Sequence, residues 1–278
     1  MRYLSFLHNG HASYGCIVDG GVAELARRSG LADLASYIAA NFDRLGSEEA
    51  LRPDFALDAI RYLPVIPNPS KVLCVATNYY EPQEVIADRP EYPLLFSRFA
   101  ASQTGHDEPL PKPDVSEKFD YEGELAVIIG RTGRHIAEAD ALRHVAGYTC
   151  FNDGSVRDWQ KHSTQFTAGK NFARTAGFGP WMVSADELPG PTGLALTTRV
   201  NGEVRQSNNT SRLIFSIPWL ISYVSHFTIL EPGDVIVTGT PSGFGSSRNP
   251  PLFLKVGDVV EVEIDTIGTL RNTVASET

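Results

Sequence analysis

The chain has 278 residues, 42% of them hydrophobic, and a formal net charge of -9 from 24 basic and 33 acidic side chains. That is enough apolar material for one large domain, or for a small domain joined to a larger one. An acidic surface attracts neither nucleic acid nor anionic lipid, and the longest apolar stretch, LIFSIPWLISYV, is too short and too interrupted to span a bilayer, so neither partner is expected.

In chain order, residues 2–25 read as a small β-meander. RYLSFLHNG ends in an Asn-Gly turn signal, and SYGCIVDGG and VAEL continue it. The same stretch lacks the apolar core of a signal peptide. GLADLASYIAANFDRL carries apolar residues at 31, 34, 38, 42 and 45, a helical period that predicts one amphipathic helix over a core. A proline-rich connector follows. A boundary near residue 65 divides a small N-terminal domain, residues 1–65, from a large one, residues 66–278. From Lys71 the texture changes to short strands punctuated by Gly and Pro: KVLCVA, PLLFSRF, ELAVIIG, HVAGYTCFN, PWMV, LALTTRVNGE, DVIVTGTP and DVVEVEID. Two helical stretches interrupt them, IAEADALRHV and SIPWLISYVSHF, the second with Pro218 in its first turn. Many short strands with few helices predict a mainly antiparallel, curled or barrel-like sheet. Cys16, Cys74 and Cys150 sit in apolar strand contexts with no CxxC pattern. They read as buried free thiols in a reducing cytoplasm, the expected location.

The chemistry concentrates around FDYEGELAVIIG, residues 119–130. Side chains two apart on a strand share a face, about 7 Å apart, so Glu122 and Glu124 stand side by side. Adjacent carboxylates repel, and burial aggravates the repulsion. Either the face is wet, as on a solvated edge strand, or a cation sits between them. Asp153 ends a later strand, HVAGYTCFND, and would complete a three-carboxylate set. Such a set suits a hard cation, Mg²⁺, Mn²⁺ or Ca²⁺, better than zinc. No pair of the seven histidines has zinc-site spacing with a third ligand nearby. Arg157, Gln160 and Lys170 follow in GSVRDWQKHSTQFTAGKNF. Alone, either cation reads as a surface charge. Beside three carboxylates they suit anion binding, Arg on a substrate carboxylate and Lys at a developing oxyanion. TGTPSGFG, residues 238–245, is a Gly-rich turn that offers backbone N–H groups and a hydroxyl to an anion. Neither GxxxxGK[ST] nor GxSxG is present, which argues against a P-loop and a serine-hydrolase elbow.

In this order, YEGEL, NDGSVRDWQ, AGKNF and TGTPSGFG resemble the fumarylacetoacetate hydrolase family. The resemblance extends over residues 70–275, and the N-terminal module is similar to the small leading domain of many members. It implies an α+β, mainly β fold, a distorted antiparallel β-roll or barrel with a small N-terminal α/β domain, assembled as a homodimer. It implies Glu122, Glu124 and Asp153 as ligands of Mg²⁺ or Mn²⁺, with Ca²⁺ as a crystallographic substitute. It further implies Lys170 facing the reacting enolate or oxyanion, with Gln160, Arg157, Thr240 and the Gly239 backbone in or beside the pocket. Two departures matter. Family hydrolases usually carry NYxxHxxE after the first strand of the large domain, the His and Glu activating water. Here the stretch is NYYEPQEV, with Pro82 at the His position and Val85 at the Glu position. Glu81 or Glu84 remains as a candidate base, as does His106 in SQTGHDE. Arg98 in FSRF stands where many members have Lys, and its guanidinium suits bidentate binding of a substrate carboxylate. Tyr79, with Tyr80, Tyr92, Phe96 and Phe99, puts aromatic rings near the distal pocket, either for an apolar acyl group or as core.

The expected substrate is a small 2-oxo acid or diketone. The expected activity is metal-dependent hydrolysis of a C–C bond in an acylpyruvate- or 1,3-diketone-type acid through a metal-stabilised enolate. The alternative keeps the enolate and drops the water: an oxaloacetate-type decarboxylase or a hydroxymuconate-type isomerase. Pro82 in place of His favours that alternative. A third reading is a non-catalytic metal-binding protein, against which Lys170 and Arg157 stand, since a structural cage has no use for nearby cations.

Overall fold

The structure, a computed structural model, describes residues 1–48, 51–81, 89–188 and 190–278. The N-terminal meander forms three antiparallel strands, β1 (Arg2–His8), β2 (His11–Val18) and β3 (Gly21–Glu24). Asn9 and Gly10 join the first two with φ of 49° and 80°. Two successive positive φ angles make the mirror-image turn that matches strand twist. Helix α1 (Leu34–Asn41) starts at Asp33, whose side chain accepts the Ser36 N–H at 2.7 Å. It buries Leu34, Tyr37 and Ile38 against the meander.

The main strands of the rest are β4 (Val72–Ala76), β5 (Leu94–Arg98), β6 (Gly123–Ile129), β7 (Val145–Asn152), β8 (Ala176–Ser184), β9 (Ala195–Val200), β10 (Glu203–Asn209), β11 (Val235–Val237), β12 (Val259–Ile264) and β13 (Gly268–Ser276). Three helical segments lie among them, α2 (Arg157–Gln160), α3 (Thr167–Lys170) and α4 (Ile217–Phe227). Ser216 caps α4 by accepting the Trp219 N–H. The stretch IAEADALRHV, read as helical, forms a 3₁₀ helix over Glu138–His144.

One mixed sheet runs in the order β3-β2-β1-β8-β7-β6-β11-β4-β5. Pairing of β1 with β8 makes the meander part of that sheet. Strands β11 and β4 pair in parallel, with Val235 opposite Val72. The sheet is therefore not the closed, antiparallel barrel that short strands suggested. Its path ends at β5 on one side and at the short strand Phe55–Ala56 on the other, and those ends do not meet. A second sheet, β10-β9-β12-β13, is antiparallel and gains Leu110–Lys112 as a parallel edge.

Strand β6 is buried along its whole length. Leu125, Val127 and Ile129 face a core shared with β9, β12 and α4, while Ala126 and Ile128 face one shared with the meander and α1. Burial on both faces explains the unbroken apolar run ELAVIIG. All three cysteines are buried and free. Burial pushes the Cys16 and Cys150 thiols up to about 12, so neither is a ready nucleophile. Among the described residues no helix is long and apolar enough to cross a membrane.

Parallel pairing carries the chain beyond β4 and beyond β11 to the same end of the sheet. Asn78 ties the two exits together. Its Nδ2 donates to the carbonyls of Phe215 and Thr238 at 3.1 and 2.7 Å, and its Oδ1 accepts the Phe215 N–H at 2.8 Å. Gly239 turns away with φ of 99°, and a Cβ there would lie 2.6 Å from the Asn78 Cβ. Asn78→Ala strands three buried backbone groups and should cost on the order of 3 kcal/mol in denaturant unfolding. A cost under about 1 kcal/mol would mean that other contacts hold the strand exits.

Candidate active site

Glu122 and Glu124 flank Gly123 at the start of β6. Gly123 is needed there, because a Cβ would strike the Thr198 hydroxyl on the second sheet. Register places Gly123 opposite Asn152, so Asp153 leaves β7 beside Glu122. Asp153 N–H donates to the Glu122 carbonyl at 2.8 Å, and Asn152 Oδ1 accepts the Glu122 N–H at 3.0 Å. The three carboxylates are buried and offer oxygens within 4.8 Å of one another. The solvated edge-strand reading of the Glu122–Glu124 pair is thereby excluded.

Lys170, at the end of α3, is 2% exposed, and its Nζ lies 2.6 Å from both Glu122 Oε2 and Asp153 Oδ2. Burial pulls its pKa down, but Asp153 and Glu122 outweigh burial and hold it above the usual lysine range. The ammonium also sits 4.8 Å over the Phe96 ring. Arg157 reaches Glu122 through Nη2 at 2.6 Å and Asp120 through Nε at 2.8 Å. Its Nη1 donates to Gln160 Oε1 at 3.1 Å, and Phe244 packs on the guanidinium at 4.7 Å.

Glu124 differs from its neighbours. It accepts the Gly239 N–H at 2.5 Å and has no ion-pair partner among the described residues. Burial, then the charges of Asp153 and Glu122, raise its pKa well above the usual carboxylate range. Asp153 is held below its usual range: burial opposes this, but Lys170 and Arg98 prevail. An all-carboxylate donor set with one uncompensated buried member fits a hard divalent cation such as Mg²⁺ or Mn²⁺.

A cavity of about 360 Å³ opens on this cluster. Of the residues singled out in the sequence, Tyr79, Glu81, Glu122, Glu124, Arg157, Gln160, Lys170 and Thr240 line it. Thr240 Oγ1 donates to the Gly123 carbonyl at 2.9 Å and accepts from Gln206 Nε2 at 2.8 Å. Burial and Glu124 keep the Tyr79 phenol protonated. Glu81 stands at the mouth, its carboxylate accepting the Ser242 N–H at 3.2 Å and hydroxyl at 2.6 Å. Glu84, Pro82 and Val85 lie outside the described residues.

Arg98 is placed otherwise than expected. It is buried behind Asp153, to which its Nη1 donates, and its other donors go to Gly154 O at 3.1 Å, Ser102 Oγ at 3.2 Å and Thr175 Oγ1 at 3.2 Å. A guanidinium bonded through all three nitrogens and outside the cavity lining orients Asp153 rather than a substrate. His106 is also remote. Its Nδ1 accepts the Arg271 N–H at 3.0 Å, and its ring packs edge-on against Tyr62.

Asp120 was not anticipated. This fully buried carboxylate accepts from Gly245 N at 2.6 Å, Ser246 N at 2.9 Å and Arg157 Nε at 2.8 Å. It couples Arg157 to the Gly-rich turn. The signal was present: Asp120 stands two residues before Glu122, a third acid in the alternating run.

The fumarylacetoacetate hydrolase C-terminal family model matches residues 71–275. The chain belongs to the fumarylacetoacetate hydrolase family. An oxaloacetate tautomerase of Bacillus subtilis is 44% identical over 223 residues, 78% of this chain and 74% of that protein. A mitochondrial oxaloacetate tautomerase of Xenopus laevis is 43% identical over 218 residues, covering 77% and 68%. Among solved structures, maleylpyruvate hydrolase of Sphingobium, in complex with manganese(II) and pyruvate, superposes with a TM-score of 0.84 at 26% identity over the whole of both chains.

Two outcomes follow. Mn²⁺ at a hundred times its Kd should stabilise the wild-type fold by about 2.7 kcal/mol, and Glu124→Gln should lose most of that gain in a thermal shift assay. Asp120→Ala strands Arg157 and should destabilise by about 3–5 kcal/mol in denaturant unfolding. A loss below about 1 kcal/mol would show that Glu122 alone suffices to hold that arginine.

Proposed function

We propose that this protein is a divalent-metal-dependent keto–enol tautomerase acting on oxaloacetate-type 2-oxo acids. The observation that carries the reading is the absence of a water-activating histidine. No histidine lines the cavity among the described residues, and residues 82–88, PQEVIAD, contain none. The tautomerase relatives support it, and it takes precedence over C–C hydrolysis, the activity first expected.

Tautomerisation consumes no water. The enol O–H bond breaks and its pair becomes the C2=O π bond, while the C2=C3 π pair takes up a proton to form the C3–H bond. Glu122, Glu124 and Asp153 would hold a divalent cation, which would supply Lewis-acid polarisation at the 2-oxo group. Lys170 stays protonated and faces the negative charge that develops on that oxygen. Arg157, fixed by Asp120 and bonded to Gln160, orients the substrate carboxylate together with Gln160. Glu81, at the cavity mouth, carries the proton to and from C3.

The test follows enol-oxaloacetate by its ultraviolet absorbance with Mn²⁺, products being identified by mass. Rapid ketonisation that stops at oxaloacetate is expected, with loss of activity on chelation. Lys170→Met should lower kcat by about 10²–10³-fold. Pyruvate as the main product would establish a decarboxylase instead, and acylpyruvate cleavage to acid plus pyruvate would restore the hydrolase.

A further inference from the structure

The cavity has two unlike ends. Its charged end holds Glu122, Glu124, Arg157 and Lys170. The hairpin of β4 and β5 contributes Val75, Ala76, Leu94 and Phe96 to the wall, and Phe166 extends it. Leu94 and Phe96 are two apart on β5 and share a face. Phe96 and Phe166 meet edge-on, centroids 5.7 Å apart. Leu94, in the cavity lining, leaves 55% of its surface exposed.

This wall has no cation to offer. Arg157 and Lys170, the cations that line the cavity among the described residues, both stand at its charged end, paired with Glu122. The sequence of residues 82–88 adds neither Lys nor Arg. A second carboxylate laid along the wall would be desolvated without a partner, whereas an apolar group there would leave water at no such cost. A four-carbon diacid is short enough to keep both carboxylates at the charged end. A cavity of about 360 Å³ is in the range that holds larger ligands.

We propose that the same site also ketonises the enols of 2-oxo acids with an apolar C3 substituent, aryl- and alkylpyruvates, their tails lying along Val75, Leu94, Phe96 and Phe166. The inference rests on the tautomerase reading and extends its substrate class. The step is unchanged: the enol proton leaves oxygen, C3 gains a proton, and no co-reactant is needed.

The experiment measures ketonisation of enol-phenylpyruvate and enol-oxaloacetate side by side on the Mn²⁺-loaded protein. Both should be accelerated. Leu94→Asp, at an exposed position that tolerates charge, should lower the ratio of kcat/KM for phenylpyruvate over oxaloacetate at least tenfold. Calorimetry gives an independent readout: keto-phenylpyruvate should bind at least tenfold more tightly than pyruvate. Acceleration of oxaloacetate alone overturns this inference and leaves the tautomerase standing. Acceleration of neither overturns both. A ratio unmoved by Leu94→Asp, or equal affinity for the two acids, shows that the tail does not use this wall and overturns the assignment.

Discussion

A carboxylate buried without a counter-charge costs several kcal/mol, and this fold buries three within 4.8 Å of one another and a fourth joined to them through Arg157. Asp120, Glu122, Glu124 and Asp153 face three buried cations, Arg98, Arg157 and Lys170. The cluster is one positive charge short, and the shortfall is localised. Glu122 and Asp153 each receive two cationic partners, while Glu124 receives the backbone N–H of Gly239. Strand register and the turn after β11 thus do more than bring oxygens together. They leave Glu124 as the one of the four with no ion-pair partner among the described residues.

The same accounting separates the basic residues by task. Arg98 donates to Asp153, Gly154, Ser102 and Thr175 and holds the Asp153 carboxylate in orientation. Arg157 is clamped between Asp120 and Glu122 yet borders the cavity, so its rigidity is inherited by whatever it binds. Lys170 joins two carboxylates and lies over Phe96, at the junction of the charged and apolar parts of the cavity. Chemistry at that junction suits a substrate with a charged head and a less polar remainder.

Much of this was legible in the sequence, for identifiable reasons. The meander, the helix at Leu34–Asn41 and the capped helix at Ile217–Phe227 follow from turn residues, apolar period and N-caps, all local signals. The carboxylate cluster followed from period-two spacing in one strand and an acid at the end of another. The sheet's topology did not follow, because parallel pairing of Val72–Ala76 with Val235–Val237 leaves no local trace. Arg98 was misplaced for a related reason. Composition shows that a guanidinium is available, but only the fold shows that four buried neighbours hold it behind Asp153. Asp120 was overlooked because its partners, Arg157 and the backbone of Gly245 and Ser246, lie far away in sequence.

The parallel pairing of β4 with β11 has a consequence for biosynthesis. Glu122, Glu124 and Asp153 are made well before Gly239 and Thr240, which complete their surroundings. On the ribosome the acidic strand β6 therefore waits, one edge lacking β11, while about a hundred residues between the two strands are still to emerge. Contacts of such sequence separation form late and slowly. A chain cut short before residue 235 would keep every proposed metal ligand and lack the strand that seats them, leaving charged, unpaired β-structure for quality control to recognise.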